Sequence, residues 1–294
     1  MLILNYRLLV LAFILFLAFG CKKENENNLN DSENPNFPHF EISTLTTSGK
    51  FLNTSSYTNN ARDIELVGDS ILYVHSRGTN SVESFVFSIN SDINSATHKS
   101  TFSASDFIGT TNQGTRGHGI YIKKDDLSKM WLFNRTEIWE FNFEKAGDLN
   151  SVTYSDYLDL SEYVERGHGI CFHPNGKQLY IDDRNKEMIH QFTLSNNWSI
   201  SDFENYKNLS ISNYQQAVRS ISFNSEGDKM FLLDTSLKEI LAFKLSTPWQ
   251  INSASFNEKI SVNISNPRGF TWNSNGTQAY IMNTDTGTVY EFEN

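Results

Sequence analysis

The stretch RGHGIYI, residues 116–122, returns as RGHGICF at residues 166–172. Each copy sets a guanidinium and an imidazole two residues apart, Arg116 with His118 and Arg166 with His168, among glycines that allow close backbone approach. That pairing suits an anionic or hydroxyl-rich ligand, because arginine grips oxyanions through a fork of donors and imidazole can donate or accept. Two histidines without a clustered third donor fall short of the three or four ligands of a zinc site, so no metal or other cofactor is expected. The chain has no Gly-x-Ser-x-Gly elbow and no phosphate-binding loop. Cys171, between Ile170 and Phe172 with no basic neighbour on its face, reads as a small filler rather than a nucleophile.

These residues open two units of a repeat that runs five times. The copies begin ARDIELVGDSILYVHS at Ala61, RGHGIYIKKDDLSKMWLFN at Arg116, RGHGICFHPNGKQLYIDD at Arg166, RSISFNSEGDKMFLLD at Arg219 and RGFTWNSNGTQAYIMN at Arg268, about 50 residues apart. In each, a short alternating run passes through a polar turn such as HPNGK, NSEGD or NSNGT into a second run, then a third and a more polar fourth. Apolar and polar residues alternate with period two, the mark of half-buried strands, and no segment sustains a helical period. Four antiparallel strands per unit make a propeller blade.

The fifth copy stops after its third strand, while GKFLNTSSYTNNAR, residues 49–62, aligns with the fourth strands of the others. The expected fold is therefore all-β: a five-bladed β-propeller of four-stranded antiparallel blades, closed by the N-terminal strand completing the last blade. Closure would remove two exposed sheet edges.

Alignment of the repeats puts Arg62, His118, His168, Arg219 and Arg268 in one column at the start of the innermost strand. Ser76, Asn134, Asp183, Asp234 and Asn283 form a second column, at the end of the second strand and on the same face. Two readings compete. Each arginine could hold a neighbouring blade's Asp or Asn by charge-assisted hydrogen bonds, a scaffold contact repeated five times. Alternatively the channel mouth binds a ligand, with Arg116, His118, Arg166 and His168 breaking the five-fold equivalence. Among the five tryptophans, Trp198 and Trp249 lie in linkers and are candidates for exposed binding residues.

The runs LYIDD, FLLD and YIMN resemble the Tyr-Val-Thr-Asn signature of bacterial surface propellers, and PNGKQLYIDD resembles the turn and strand of NHL, TolB and lactonase-like propellers. The resemblance, from about residue 48 to the end, implies the fold and little about activity, since such propellers include binders, scaffolds and enzymes. A lactonase-type site would set acidic and Asn ligands around a divalent ion; Asn134, Asp183, Asp234 and Asn283 are the counterparts, beside arginines that would repel it.

At the other end, one charge at Arg7 precedes the apolar run LLVLAFILFLAFG, too short to span a bilayer comfortably. Ala18-Phe19-Gly20-Cys21 resembles the lipobox of bacterial lipoproteins, with Leu17 one place earlier than that pattern sets its leucine. The resemblance implies a signal peptide over 1–20 and acylation of Cys21, with a signal cut without lipidation or an uncleaved anchor as alternatives. CKKENEN resembles the charged stretch of surface-exported lipoproteins of Bacteroidota. Residues 21–38, Asn-rich and almost without apolar side chains, read as a disordered tether before a propeller domain over 39–294. With two cysteines the chain is no disulfide scaffold, and a net charge of −10 argues against nucleic acid as a partner.

The function these observations imply is that of a lipid-anchored envelope protein, in the bacterial outer membrane and facing the periplasm or the surface. It would be a non-catalytic binder or scaffold, taking a polysaccharide, a small anion or an envelope protein at the channel mouth. The competing class is an enzyme of lactonase, lyase or hydrolase type at the same mouth.

Overall fold

A computed structural model of the chain describes residues 39–108 and 117–294. The expected signal segment 1–20, the tether 21–38 with Cys21, and Arg116 lie outside the described residues. All strands belong to the compact unit Asn36–Asn294.

The alternating runs form twenty strands. β1 (Thr46–Asn53) comes first; β2 (Ala61–Val67), β3 (Ile71–Ser76), β4 (Ser81–Phe87) and β5 (Ala96–Ser103) make the first blade. The second is β6 (Gly119–Ile122), β7 (Lys129–Phe133), β8 (Glu137–Phe143) and β9 (Val152–Asp159). The third is β10 (Gly167–Phe172), β11 (Gln178–Asp183), β12 (Met188–Leu194) and β13 (Phe203–Ser210). The fourth is β14 (Val218–Phe223), β15 (Lys229–Asp234), β16 (Glu239–Leu245) and β17 (Ala254–Ser261). The fifth joins β18 (Pro267–Trp272), β19 (Gln278–Asn283) and β20 (Thr288–Glu293) to β1, with Phe51 opposite Tyr290 and Asn53 opposite Thr288. Thr44 Oγ1 reaches Asn294 Oδ1 at 3.0 Å, so the two ends of the domain touch. Five blades and their closure are as the repeat count requires.

Five apolar clusters hold the ring, each drawing on two neighbouring blades. Tyr73 and Val82 of the first blade, for example, join Met130 and Phe141 of the second. Each fully buried Phe or Leu contributes about 1.5–3 kcal/mol, so the sheets are held chiefly through their faces. The first hairpin turns carry a glycine at positive φ in four blades, as at Gly176 (74°), and Leu127 (54°) in the second. A side chain at Gly176 would collide with Trp198, and one at Gly227 with Trp249. These two linker tryptophans are half buried over the turns of their own blades.

One device was not legible in the sequence. Short 3-10 turns, Ile42–Thr44, Ile93–Ser95, Leu149–Ser151 and Ile251–Ser253, precede the outer strands of four blades. Each buries its Ile or Leu and packs on the outer strand of the preceding blade. Two also take a side-chain acceptor from the preceding blade's third strand: Ile93 N–H donates to Glu291 Oε2 and Ile251 N–H to Gln191 Oε1.

The inner strands β2, β6, β10, β14 and β18 contact one another in succession around the axis, and β18 meets β2. Every blade runs from inside to outside, so all inner strands start at one end of the channel and finish at the other. Between those ends the strands pinch together. A Cβ on Gly119 would lie 2.5 Å from His168 O, one on Gly169 2.8 Å from Ile221 N, and one on Gly269 2.7 Å from Ile64 N. The second glycine of Arg-Gly-His-Gly thus admits the next blade's backbone at the waist of the channel.

Candidate functional site

The starts of the inner strands bring Arg62, His118, His168, Arg219 and Arg268 to one mouth. The rings of His118 and His168 meet edge to face with centroids 4.6 Å apart, and Arg219 Nη1 lies 2.7 Å from His168 Nε2. That contact joins adjacent blades, and with it Arg219 as donor fixes Nε2 as the acceptor. Arg268 donates from Nε to Asn266 Oδ1 at 3.1 Å. Arg166 is half buried one turn away, its charge reaching His168 and Arg219.

Three further arginines join them. Arg77, Arg135 and Arg184 directly follow Ser76, Asn134 and Asp183 of the second column, and their backbones or charges couple to the same group. Arg184 N–H, for instance, donates to Arg166 O. The signal was present in the sequence as an arginine one place beyond the second column in three of five repeats. In the other two, Thr235 and Thr284 stand there and bond the next blade's inner strand at Pro267 O and Ala61 O.

The cluster is not neutralised. Among the described residues no arginine forms an ion pair with a carboxylate. Buried nitrogens without a hydrogen-bond partner among the described residues include Nε of Arg62, Arg77, Arg135, Arg166 and Arg219, Nη1 of Arg268, Nδ1 of His168 and both ring nitrogens of His118. Burial first, then neighbouring guanidinium charge, pushes Arg62, Arg219 and Arg268 below the usual arginine range. The same causes hold His118 and His168 well below the usual histidine value, so both are neutral at pH 7.

The second column is buried and engaged elsewhere. Asp183 accepts N–H groups from Glu165, Arg166, Asn185 and Lys186 at 2.6–3.1 Å. Against the effect of burial, His190 and these N–H groups hold it down at about 2. Asp234 accepts from Gln216, Ala217, Ser236 and Leu237 at 2.6–2.9 Å. Asn134 caps Thr136 and Glu137, Asn283 accepts from Asp285 N and Ser265 Oγ, and Ser76 Oγ donates to Asn59 O. These side chains fasten the turn after the second strand. Among the described residues, no guanidinium hydrogen bond links Arg62, Arg166, Arg219 or Arg268 to Asp183, Asp234 or Asn283.

Two more carboxyls lie at the waist. Asp182 accepts from His168 N and Gly169 N at 2.9 and 3.0 Å, and burial pushes it up to about 8 against those donors. Burial likewise raises Asp63, which accepts from Ile120 N at 3.1 Å. The mouth therefore gathers fixed positive charge and neutral imidazoles above Asp182, which keeps its proton at pH 7, and Asp63, whose carboxyl burial pushes up. Cys171 lies on the far side of the waist, its thiol pushed up to about 12 by burial, which leaves it unreactive.

No family model matches the chain, and no curated protein matches it. Among solved structures it is similar to a putative 6-phosphogluconolactonase from Bacteroides uniformis ATCC 8492, with TM-score 0.48, 13% identity, 78% of this chain covered and 65% of that one. A functionally unknown protein from Desulfotomaculum acetoxidans DSM 771 gives TM-score 0.46 and 13% identity over 76% and 63% of the two chains. A protein from Lactobacillus plantarum gives 0.47 and 11% over 73% and 61%. The chain spans less than two thirds of the length of each, and likenesses this distant say nothing of activity.

Proposed function

We propose that the protein is a lipid-anchored envelope propeller that binds an anionic, hydroxyl-bearing ligand, such as an acidic polysaccharide or a small carboxylate, at the arginine mouth without transforming it. One observation carries this reading: in a guanidinium cluster flanked by two buried neutral imidazoles, both ring nitrogens of His118, Nδ1 of His168 and a nitrogen of each of Arg62, Arg219 and Arg268 have no partner among the described residues. Such an arrangement is costly when empty, because charge is desolvated and repelled, and an oxyanion relieves both costs. Neutral imidazoles add donors and acceptors suited to hydroxyls. Support for a non-catalytic role comes from Asp183 and Asp234, whose oxygens are engaged by backbone N–H groups.

Calorimetric titration of the full-length protein with citrate, phosphate and an oligogalacturonate at low salt tests the binding. At least one should bind, while a neutral oligosaccharide should not bind at this mouth. Each lost guanidinium contact is worth about 1.5–3 kcal/mol, so Arg219→Ala or Arg268→Ala should weaken binding roughly 10- to 100-fold. Those variants should melt no lower than the parent without anion. A lower melting point and no anion binding would make the arginines blade-to-blade contacts instead. For the anchor, Cys21→Ser should move the protein from the membrane to the soluble fraction; continued membrane retention would contradict acylation.

A further inference from the structure

The inner strands finish at the other end of the channel, and there they and the first hairpin turns enclose a cavity of about 500 Å³. It is separated from the arginine mouth by the waist, and none of the ring residues lines it. A volume of this size falls within the range of about 300–1,000 Å³ for small-molecule sites. We propose that this cavity is a second binding site, for a neutral mono- or disaccharide.

The walls define that chemistry by what they offer. Phe223 and Trp249, half buried with ring centroids 5.0 Å apart, and Trp272 supply flat apolar faces of the kind on which the C–H faces of a sugar ring stack. Lys124, the cation among the lining residues, is already paired: its Nζ meets Glu65 Oε1 at 2.5 Å across the first two blades, while the Asp69 carboxylate accepts the N–H and O–H of Ser274 at 2.7 and 2.5 Å. An anionic ligand therefore finds no unpaired positive charge there.

Two wall groups want a partner. The Trp272 indole N–H and the Ser222 hydroxyl are buried with no hydrogen-bond partner among the described residues. The first can only donate and the second can do either, so the occupant must present acceptor oxygens. Buried polar groups are normally satisfied, and both of these residues line the cavity, Trp272 from the edge of the core cluster it shares with Phe231 and Phe270. Asn224 and Asn273, also in the wall, cap their own turns through Lys229 N and Gln278 N and keep the rim rigid. An uncharged ring with hydroxyl and ether oxygens on its edge and C–H groups on its face gives both of these groups a partner and the aromatic walls a surface to stack on. A purely apolar ligand would leave Trp272 Nε1 and Ser222 Oγ unpaired.

Tryptophan fluorescence and calorimetry of the full-length protein with glucose, maltose and cellobiose, against benzoate, galacturonate and indole, test the assignment. At least one neutral sugar should bind and shift the emission. Ser222→Leu, which fills the cavity from a half-buried position, should weaken that binding at least ten-fold with little change in melting temperature. Trp249→Phe should weaken it less. Arg268→Ala should leave it unchanged, which separates this site from the mouth. Failure of all three neutral sugars at about 10 mM, or binding that survives Ser222→Leu, would overturn the assignment. Preference for indole or galacturonate over every neutral sugar would do so as well.

Discussion

Asp182 shows how a single side chain couples the waist of the channel to its mouth. Its two oxygens hold the backbone N–H groups of His168 and Gly169, which sets the inner strand that carries the imidazole. Folded, burial keeps its proton on to about pH 8; unfolded, the same carboxyl ionises near about 3.9. Between those values the native state binds more protons, so stability falls as pH rises. His75, His118 and His168 have lowered values and contribute the opposite sign, but only below about pH 6.5, where the unfolded histidines protonate. Between about pH 7 and 8, above most of the histidine range, Asp182 lowers stability with a ceiling of about 1.4 kcal/mol per pH unit, while the lowered Arg268 works against it. Asp182→Asn should flatten the decline, the difference in urea-unfolding slope between parent and variant being the share of Asp182; equal slopes would show that Asp182 is ionised. None of this was legible in the sequence, where Asp182 stood beside the aligned Asp183 and drew no notice. The ring of Arg62, His118, His168, Arg219 and Arg268 was legible because repetition fixes which residues share a height on the channel. The contact of Arg219 with His168 was not, because side-chain direction is no part of an alignment.

The elements were readable for a simple physical reason. Period-two alternation reports a half-buried strand, glycine at positive φ reports the hairpin, and five repeats of both leave little freedom in the topology. What escaped was either short or assembled from distant pieces. The 3-10 turns are three residues long and look like linker, yet each sets a buried Ile or Leu against the preceding blade. The far cavity draws on aromatics from different repeats: Phe223 and Trp272 read alone as core, and Trp249 stood out only as a linker residue. β1 is the element with the most consequence for its length. It supplies the outer strand of the fifth blade and packs half-buried Leu52 against the cluster between the fifth and first blades. Deleting residues 46–53 exposes the β20 edge and that cluster together. The truncated chain should lose a cooperative melting transition or melt well below the parent, with aggregation; an unchanged transition by calorimetry would remove β1 from the closure.

At the scale of the whole molecule, closure rests on two different forces: face-to-face packing at five blade interfaces, and strand pairing at one. Circular permutation separates them. Joining Asn294 to Glu41 by a short linker is geometrically easy, since Thr44 and Asn294 already touch. Opening the chain between Ile108 and Gly117 then makes every blade from contiguous sequence. The permutant keeps all five apolar interfaces, and the one between the first two blades becomes a seam held by side chains alone, including Val67, Tyr73, Met130 and Phe141. It should fold, with the parent's far-ultraviolet dichroism, because packing contributes most of the ring's stability. Its urea midpoint should nonetheless fall, because the seam can now open without breaking a sheet, and opening exposes the Ile120 and Leu132 side of the cluster to solvent. The arginine mouth spans that seam through Arg62 and His118, so anion affinity should fall along with the midpoint. A permutant as stable as the parent would mean that side-chain packing alone closes the ring and that the shared fifth blade adds nothing measurable.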